Sequence, residues 1–402
     1  MSAISLVMPC YNRAHDLQRV LAAYDRQVGQ PDFELIAIDD ASSDATQQLL
    51  TSFCPQNYRL RTEQQPTNQG PAAARNLGVS LAQAPLIAFV GDDIRPDPHF
   101  VPAHLEAHRR YPEPQVAILG RVTWPPDMPQ NTLMQHIDGV GAQQFSYHYM
   151  QNQQTYDFRH LYTANVSLKT DFIKQESHWF DTDFPYAAIE DAEFAYRLSR
   201  QGLRIIYDSR PLGYHYHYHT IWTFSVRQYR AGLMVWEFVK KHPDLANFLR
   251  VTKTKSLGWL GPVQRLSCSA AQLSEVAHWL ETQTVRLTSA YEWQPHDLLD
   301  ELYLNVLEYF WRKGLIDGTF ERSSRRESIR DAYAIYYLKP RLTEFLQQAQ
   351  RLRIPVPGLD LELLNRKLAP LESRLVNRLQ RFWRTTGHHW AKPWLTPEGP
   401  PS

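Results

Sequence analysis

Several features that would assign a chain to a common class of protein are absent from this 402-residue sequence. Three cysteines are too few and too widely spaced for a disulfide framework or a zinc site. A formal net charge of +1 gives no indication of a nucleic-acid partner. The first residues lack the charged and apolar regions of a signal peptide, and no apolar run is long enough to span a bilayer. We therefore expect a cytoplasmic protein in a reducing compartment.

Two common nucleotide-binding motifs are also missing. No Gly-x-Gly-x-x-Gly follows the first predicted strand, and the chain has no Gly-Lys-Ser/Thr phosphate loop. These absences argue against nicotinamide dehydrogenases and ordinary nucleoside triphosphatases. The remaining composition, 43% hydrophobic and 21% charged, is that of a globular protein, and its length suggests two domains.

Apolar runs and helical periodicities alternate along the first half of the chain. They predict strands at 4–8, 33–38, 58–61, 86–90, 115–122, 163–168 and 204–207, and helices at 16–26, 44–53, 98–110 and 189–198, with a further helix whose first turn includes Pro71. The run 143–156 is rich in Tyr and Gln and is predicted to be a surface loop. Short connections between alternating strands and helices indicate a doubly wound, mostly parallel α/β sheet.

Two adjacent carboxylates follow the buried strand 86–90. In an open α/β sheet, ligands bind outside the carboxyl ends of the strands, where Asp92 and Asp93 are expected to lie. Neighbouring carboxylates repel each other, and a divalent cation that also contacts substrate phosphates would compensate them. Gly91-Asp92-Asp93 also suits an ordinary turn, because Gly and Asp both favour turns. For this motif alone, both interpretations stay open.

Two further groups have a similar ambiguity. Glu190 and Asp191 begin a predicted helix, where the helix dipole stabilises carboxylates whatever their function. Histidines alternate with tyrosines from Tyr214 to His219, so an extended strand would place all three imidazoles on one face. That face is either a source of metal ligands or a solvated strand surface.

Taken in order along the chain, the motifs resemble those of the family 2 glycosyltransferases, which are nucleotide-sugar enzymes with the GT-A fold. The motifs are Pro9-x-Tyr11-Asn12, Asp39-Asp40-x-Ser-x-Asp44, Asn68-x-Gly70 with Ala74-Arg75-Asn76, Gly91-Asp92-Asp93 with Pro96-Asp97, Asn165, and Glu190-Asp191. The resemblance covers about residues 3 to 235 and implies a GT-A doubly wound, mostly parallel sheet. Here that sheet is followed by a C-terminal helical region.

The resemblance also implies roles for individual residues. Tyr11 and Asp39 resemble the pair that binds a uracil-type base. The residues assigned to donor binding are Pro9, Tyr11, Asn12, Asp39, Asn68, Arg75 and Asp92. Asp93 is implied as a ligand of Mg²⁺ or Mn²⁺, with a histidine completing the shell; His217 is preferred, and His219 is the second candidate. Asp191 matches the catalytic base, and Glu190 stands beside it.

These assignments favour an inverting hexosyltransferase of polysaccharide biosynthesis. It would move one sugar from a nucleotide-diphosphate sugar, with UDP preferred, to a hydroxyl of a glycan or lipid-linked acceptor. A metal would neutralise the diphosphate, and Asp191 would take the acceptor proton. Gly91 replaces the first Asp of the family's Asp-x-Asp motif. This favours the alternative of a catalytically degenerate GT-A domain that binds nucleotide sugar or glycan within an assembly.

A nucleotidyltransferase would share the fold class, but it usually carries a basic glycine-rich loop after its first strand. Pro9-Cys-Tyr-Asn12 is not such a loop.

Beyond about residue 250 the resemblance ends and helical periodicity dominates, at 271–288, 296–313 and 328–350. We predict a catalytic domain at 1–250, a helical domain at 251–354, and a tail at 355–402 with a linker, a basic amphipathic helix at 371–384 and a disordered end. This basic helix either docks on its own protein or lies in a membrane interface. The second interpretation would place the protein peripherally at the inner face of the membrane.

Overall fold

The computed structural model describes residues 2–140, 144–258, 270–291 and 298–371. Within these ranges the strands are β1 (Ile4–Cys10), β2 (Phe33–Asp39), β3 (Arg59–Gln64), β4 (Leu86–Val90), β5 (Ile94–Pro96), β6 (Val116–Thr123), β7 (Thr155–Tyr156), β8 (Asn165–Lys169) and β9 (Arg204–His215). The first helices are α1 (Ala14–Tyr24), α2 (Thr46–Ser52), α3 (Gly70–Leu81), α4 (Phe100–Arg110), α5 (Thr132–Gly139), α6 (Thr170–Ile173) and α7 (Glu190–Ser199). They are followed by α8 (Ile221–Lys241), α9 (Val251–Lys255), α10 (Ala270–Ala290), α11 (Leu299–Thr319), α12 (Arg326–Arg351) and α13 (Leu361–Leu368).

All nine described strands belong to one sheet. Its order is β3-β2-β1-β4-β8-β6-β9-β5, and β7 pairs with β9 outside this path. The half formed by β3, β2, β1 and β4 is parallel, whereas β8 runs antiparallel to both of its neighbours. The predicted fold class, a doubly wound and mostly parallel sheet followed by a helical region, is confirmed.

The inner strands of the parallel half, β1, β2 and β4, are covered on both faces, whereas the outer strand β3 is partly exposed. Leu6, Val7 and Ile36 are fully buried, as expected for the near-continuous apolar runs of a parallel sheet. Helix α3 approaches β1 closely at Gly78, where an added Cβ would lie 2.3 Å from a methyl group of Val7. A small residue is therefore needed there, and this contact brings the start of α3 to the carboxyl ends of the strands.

The structure differs from the local predictions in several places, and β9 continues to His215 although the strand was predicted at 204–207. Strand β5 was not predicted, because three residues are too few for a periodicity. The segment predicted as a surface loop includes β7 and a buried Tyr147, whose ring packs on Tyr207. Helix α2 begins at Thr46 with Ala45 as its N-cap, two residues later than the predicted helix at 44–53. Asp44 accepts hydrogen bonds from Thr46 and from Ala14, so it joins α2 to α1.

The chain divides into two compact units, residues 1–129 with 144–218 and residues 130–143 with 219–402. The first contains the whole sheet. In the second, α8 and α11 pack backbone to backbone at Gly232 and Gly314, where an added Cβ would meet a carbonyl oxygen of the opposite helix at 1.9 Å. The predicted domain boundaries at residues 250 and 354 stay predictions.

Two sequence-based predictions fall outside the described residues. They are the basic amphipathic helix, from residue 372 onward, and the disordered end at 393–402. Of the helices in the described ranges, none has both the length and the apolar character needed to cross a membrane.

Candidate active site

Three side chains that could ligate a cation converge beyond the carboxyl end of β4. The Oδ2 atom of Asp93 lies 3.3 Å from Nε2 of His215 and 3.4 Å from Nδ1 of His217. One ligand atom from each of these residues falls within 4.8 Å of the others. His215 was not preferred in the sequence analysis, whereas Asp93 and His217 are brought together as expected.

The pairing of β5 with β9 places the histidines. Ile94, directly after Asp93, pairs with His215 in an antiparallel ladder, and the Tyr216 amide donates a hydrogen bond of 2.9 Å to the Asp93 carbonyl. The His215 ring also stacks on Trp124 at a centroid distance of 5.3 Å. Strand β9 ends at His215, so a continuous strand face does not extend to His219. His219 belongs to the second compact unit.

The two adjacent carboxyl groups differ in their electrostatics. Burial and the charge of Asp93 raise the pKa of Asp92 to about 7. Burial acts in the same direction on Asp93, but His215, His217 and Arg13 outweigh it and hold the pKa of Asp93 well below its usual range. Asp93 is therefore the more strongly acidic member of the pair and the better anionic ligand.

Arg13 was missed by the sequence analysis. Its Nε atom lies 3.2 Å from Oδ1 of Asp92, and its Nη2 atom lies 3.0 Å from Oδ2 of Asp93. No local sequence pattern around Arg13 predicts a contact with residues about 80 positions away. The only available signal was the need for a cation beside two neighbouring carboxylates.

The donor set fits a divalent metal. Imidazole nitrogen and carboxylate oxygen are both common ligands of first-row transition metals. Gly91 contributes by lacking a side chain, because a Cβ at this position would lie 3.0 Å from Oδ1 of Asp93 and 2.9 Å from Cγ1 of Ile94. The departure from Asp-x-Asp therefore leaves room for Asp93 in this conformation.

A second group of charged side chains surrounds the start of α7. The Arg75 guanidinium donates to Oε1 of Glu190 at 2.8 Å, with both side chains almost entirely buried. The other carboxylate oxygen of Glu190 is also buried and has no hydrogen-bond partner. Asp191 follows directly and is half-buried. Arg75 is thus brought to the predicted catalytic pair.

The surroundings of Asp191 favour a proton acceptor. Burial and the charge of Glu190 raise its pKa to about 7, while Arg75 and hydrogen bonds from the Ala192 and Thr163 amides partly oppose the shift. The residue before the pair, Ile189, has φ +75° and ψ −21°. A β-branched residue rarely adopts this left-handed conformation, which often marks a functional site.

Asp93 and Asp191 lie at the same edge of the sheet. Strands β4 and β8 are antiparallel, and Val90 at the end of β4 pairs with Asn165 at the start of β8. Asp93 lies three residues beyond Val90, and Thr163, whose amide bonds to Asp191, lies two residues before Asn165. The predicted metal ligand and the predicted base therefore flank one strand pair.

The predicted base-binding residues lie at the ends of β1 and β2. Asp39 is fully buried, and its two carboxylate oxygens accept from the Ser42 amide at 3.2 Å and from the Gln64 side chain at 2.9 Å. Pro9 is half-buried near the end of β1, while Tyr11 is 47% exposed.

Two asparagines assigned to donor binding occupy loops. Asn12 is exposed, and its side-chain oxygen accepts from the Ser43 amide at 2.8 Å, which joins the loops after β1 and β2. Asn68 is exposed on the loop before α3. Two of the predicted donor residues meet beside Asp93: the Tyr11 amide donates to Oδ2 of Asp92 at 3.2 Å, and Arg13 joins Asp92 to Asp93.

Asn165 has a buried structural position. Its amide nitrogen donates to the carbonyls of Arg121 and Pro211, and its oxygen lies 2.8 Å from Nε2 of His104. That oxygen is an acceptor, so Nε2 of His104 carries the proton and Nδ1 accepts from the Ser167 hydroxyl at 2.8 Å. The network connects the middle strands to α4 through a neutral histidine.

Comparison with known proteins identifies the family. The sequence model of "Glycosyl transferase family 2" matches residues 5–175. Residues 5–175 belong to glycosyltransferase family 2. The matched segment contains all but the first residue of β1, the strands β2 to β8 and the Asp92-Asp93 pair, and it ends before α7. The resemblance inferred from the motifs is therefore confirmed over this segment.

Named relatives of the chain are glycosyltransferases. It is 30% identical over 267 residues to validoxylamine A glucosyltransferase of Streptomyces hygroscopicus subsp. limoneus, covering 60% of this chain and 57% of that protein. It is 24% identical over 241 residues to chondroitin synthase of Escherichia coli, covering 54% of this chain and 35% of that protein. The chain thus spans little more than half the length of the first relative.

Solved structures with a similar arrangement include S. aureus TarS 1–349, at 16% identity and a TM-score of 0.47, covering 83% of this chain and 91% of that one. Another is the mannosyltransferase PcManGT from Pyrobaculum calidifontis in complex with GDP-Man and Mn²⁺. It is 14% identical, with a TM-score of 0.48, and the match covers 80% of this chain and 88% of that one.

Proposed function

We propose that this family 2 chain is an inverting, metal-assisted glycosyltransferase. It transfers a single sugar from a nucleotide-diphosphate sugar, with UDP as the preferred nucleotide, to a hydroxyl group of a glycan or lipid-linked acceptor. The observation that carries the proposal is the convergence of Asp93, His215 and His217 at the strand edge that also holds Asp191. The named activities of the relatives support the same reaction class.

The residues divide the reaction between them. A divalent cation held by Asp93, His215 and His217 would supply positive charge to the leaving diphosphate. Asp191, with a pKa of about 7, accepts the proton of the acceptor hydroxyl as that oxygen attacks the anomeric carbon. The attack displaces the nucleotide diphosphate from the opposite face of the sugar, so the anomeric configuration inverts. Arg75 holds Glu190 beside the base.

Thermal-shift measurements test the donor site. Purified wild type, Asp93→Ala and Asp32→Ala are heated with UDP, GDP, dTDP or CMP, each with Mn²⁺ or with EDTA. Asp32 is a matched control, because its side chain is 61% exposed and pairs with the exposed Arg59. A nucleotide at about one hundred times its Kd should stabilise the fold by roughly 2.7 kcal/mol. We expect one diphosphate to do so only with Mn²⁺, in wild type and Asp32→Ala but not in Asp93→Ala.

A degenerate binding domain is the second candidate, favoured by Gly91 in place of the usual Asp. It is separated from the enzyme by nucleotide release from the sugar donor that the thermal shift identifies. Release that requires metal and Asp191 supports the transferase. Binding with no release, in the presence of either water or a panel of glycan acceptors, would support the degenerate domain.

A further inference from the structure

The contacts of Arg13 suggest a function for this residue beyond simple charge balance. Its guanidinium spans both carboxylates of the pair, at 3.2 Å from Asp92 and 3.0 Å from Asp93. The Asp93 atom that it contacts, Oδ2, is the same atom that faces His215 and His217. A cation bound by these three residues would therefore use an oxygen that Arg13 already occupies.

We propose that Arg13 competes with the divalent metal for Asp93 and so makes metal binding depend on the nucleotide. This inference rests on the proposed function and concerns the regulation of the same site. In the metal-free protein, the guanidinium offsets part of the negative charge of Asp92 and Asp93 and contacts both. A divalent cation entering the site would weaken the Arg13–Asp93 pair, because two positive groups at the same oxygen repel each other.

The position of Arg13 allows this exchange. Its side chain is 30% exposed, whereas those of Asp92 and Asp93 are 13% exposed, so the guanidinium is the partner that can move into solvent. Arg13 is the N-cap residue of α1, and its amide is held by the Thr46 hydroxyl at 2.7 Å. Its backbone is therefore anchored while its side chain changes partner.

A nucleotide diphosphate provides the alternative partner. Guanidinium groups bind phosphate oxygens through paired hydrogen bonds, and the first turn of a helix favours an anion. A diphosphate that takes Arg13 would leave Asp93, His215 and His217 to hold a divalent cation, whose positive charge would in turn favour the diphosphate. Metal and nucleotide then bind cooperatively, and each raises the affinity of the other by the same factor.

Mn²⁺ binding in the absence of nucleotide tests the competition directly. Titrations of the full chain are followed by electron paramagnetic resonance, since the signal of free Mn²⁺ reports the unbound metal and does not depend on activity. The proteins are wild type, Arg13→Gln, Arg19→Gln and Asp93→Asn. Arg19 is the matched control, because it is an exposed arginine of α1 and its replacement removes the same charge from the same helix.

We expect Arg13→Gln to bind Mn²⁺ on the order of tenfold more tightly than wild type, since two partly exposed ion pairs no longer oppose the metal. Arg19→Gln should match wild type, and Asp93→Asn should lose the site. If Arg13→Gln binds Mn²⁺ no more tightly than wild type while Asp93→Asn binds none, the competition is wrong but the metal site is supported. Binding by Asp93→Asn equal to wild type, or none in wild type and Arg13→Gln, would overturn the metal site and this inference together.

The nucleotide part of the proposal is tested by repeating the titrations with saturating UDP. Wild type should gain more Mn²⁺ affinity from UDP than Arg13→Gln does, because only wild type has the Arg13–Asp93 pair to release. An equal gain in the two proteins would show that Arg13 does not couple the two ligands. If UDP produces no thermal shift, the diphosphate identified in that screen replaces it.

Discussion

Arg75 donates a hydrogen bond of 2.8 Å to Glu190, although 115 residues separate the two positions along the chain. The pair is buried, and it lies directly beside Asp191. It brings α3, from the parallel half of the sheet, to the first turn of α7. The arginine that the family resemblance assigns to the donor pocket therefore also contacts the predicted catalytic pair.

The first prediction concerns Asp191 as the general base. Replacing Asp191 with Asn keeps the shape of the side chain but removes its capacity to accept a proton. We expect nucleotide release from the donor to slow by a factor of roughly 100 to 10,000, the usual contribution of general base catalysis. The nucleotide-induced thermal shift should be retained. Asp183→Asn, at an exposed carboxylate of the same segment, is the control and should remain near wild-type rate.

The second prediction concerns the pH dependence of the rate. Since the pKa of Asp191 is about 7, the base is protonated below neutrality, and the rate should rise with pH and level off above about 7. Burial and Glu190 raise this pKa, so Glu190→Gln removes one of the causes and should move the rise to lower pH. Rate profiles from pH 5 to 9 measure both midpoints. An unchanged or higher midpoint in Glu190→Gln would contradict this electrostatic origin.

The third prediction concerns the metal ligands. His215→Ala and His217→Ala should each weaken Mn²⁺ binding by at least about tenfold, and His99→Ala, at an exposed histidine before α4, should not. Two imidazoles beside a single carboxylate suit Mn²⁺ or Co²⁺ better than Mg²⁺, which prefers oxygen ligands. Competition titrations should therefore rank Mg²⁺ as the weaker ion. If His217→Ala weakens Mn²⁺ binding and His215→Ala does not, then His215 is not a ligand.

The fourth prediction concerns stability in acid. Burial lowers the pKa of His104 from 6.5 to about 4, so the unfolded chain takes up a proton that the folded chain excludes. The free energy of unfolding therefore decreases as pH falls from about 6.5 to about 4. For this group the loss amounts to about 3 kcal/mol.

This effect is measured by denaturant unfolding of wild type and His104→Gln across the same range. The variant should be less stable near pH 7, where its hydrogen bonds to Asn165 and Ser167 are altered, but it should lose less stability on acidification. His278→Gln, at an exposed histidine of α10, is the control. If the free energy of unfolding falls equally with pH in wild type and in His104→Gln, His104 does not cause the loss of stability.

Much of the secondary structure followed from local patterns. The continuous apolar run at Leu86–Val90 predicted a buried strand, and β4 has those bounds. The periodicity around Glu190 predicted a helix at 189–198, and α7 lies there with Phe194, Ala195 and Leu198 fully buried. Such predictions succeed because burial repeats with the period of the element itself. Strand β5 has only three residues, which are too few to show a periodicity.

Within the candidate site, the sequence alone determined which residues could act. Carboxylates stand after β4 and at the start of α7, and alternating histidines stand at the end of β9, because chain order and local conformation place them there.

Tertiary structure alone decided which of them meet. The β5–β9 ladder selects His215 and His217 for Asp93, while Arg13 occupies the same oxygen across 80 residues of sequence. Arg75 is likewise directed to Glu190. Local patterns carry the conformation of a segment, but a contact between distant residues depends on the order and register of the strands that support them.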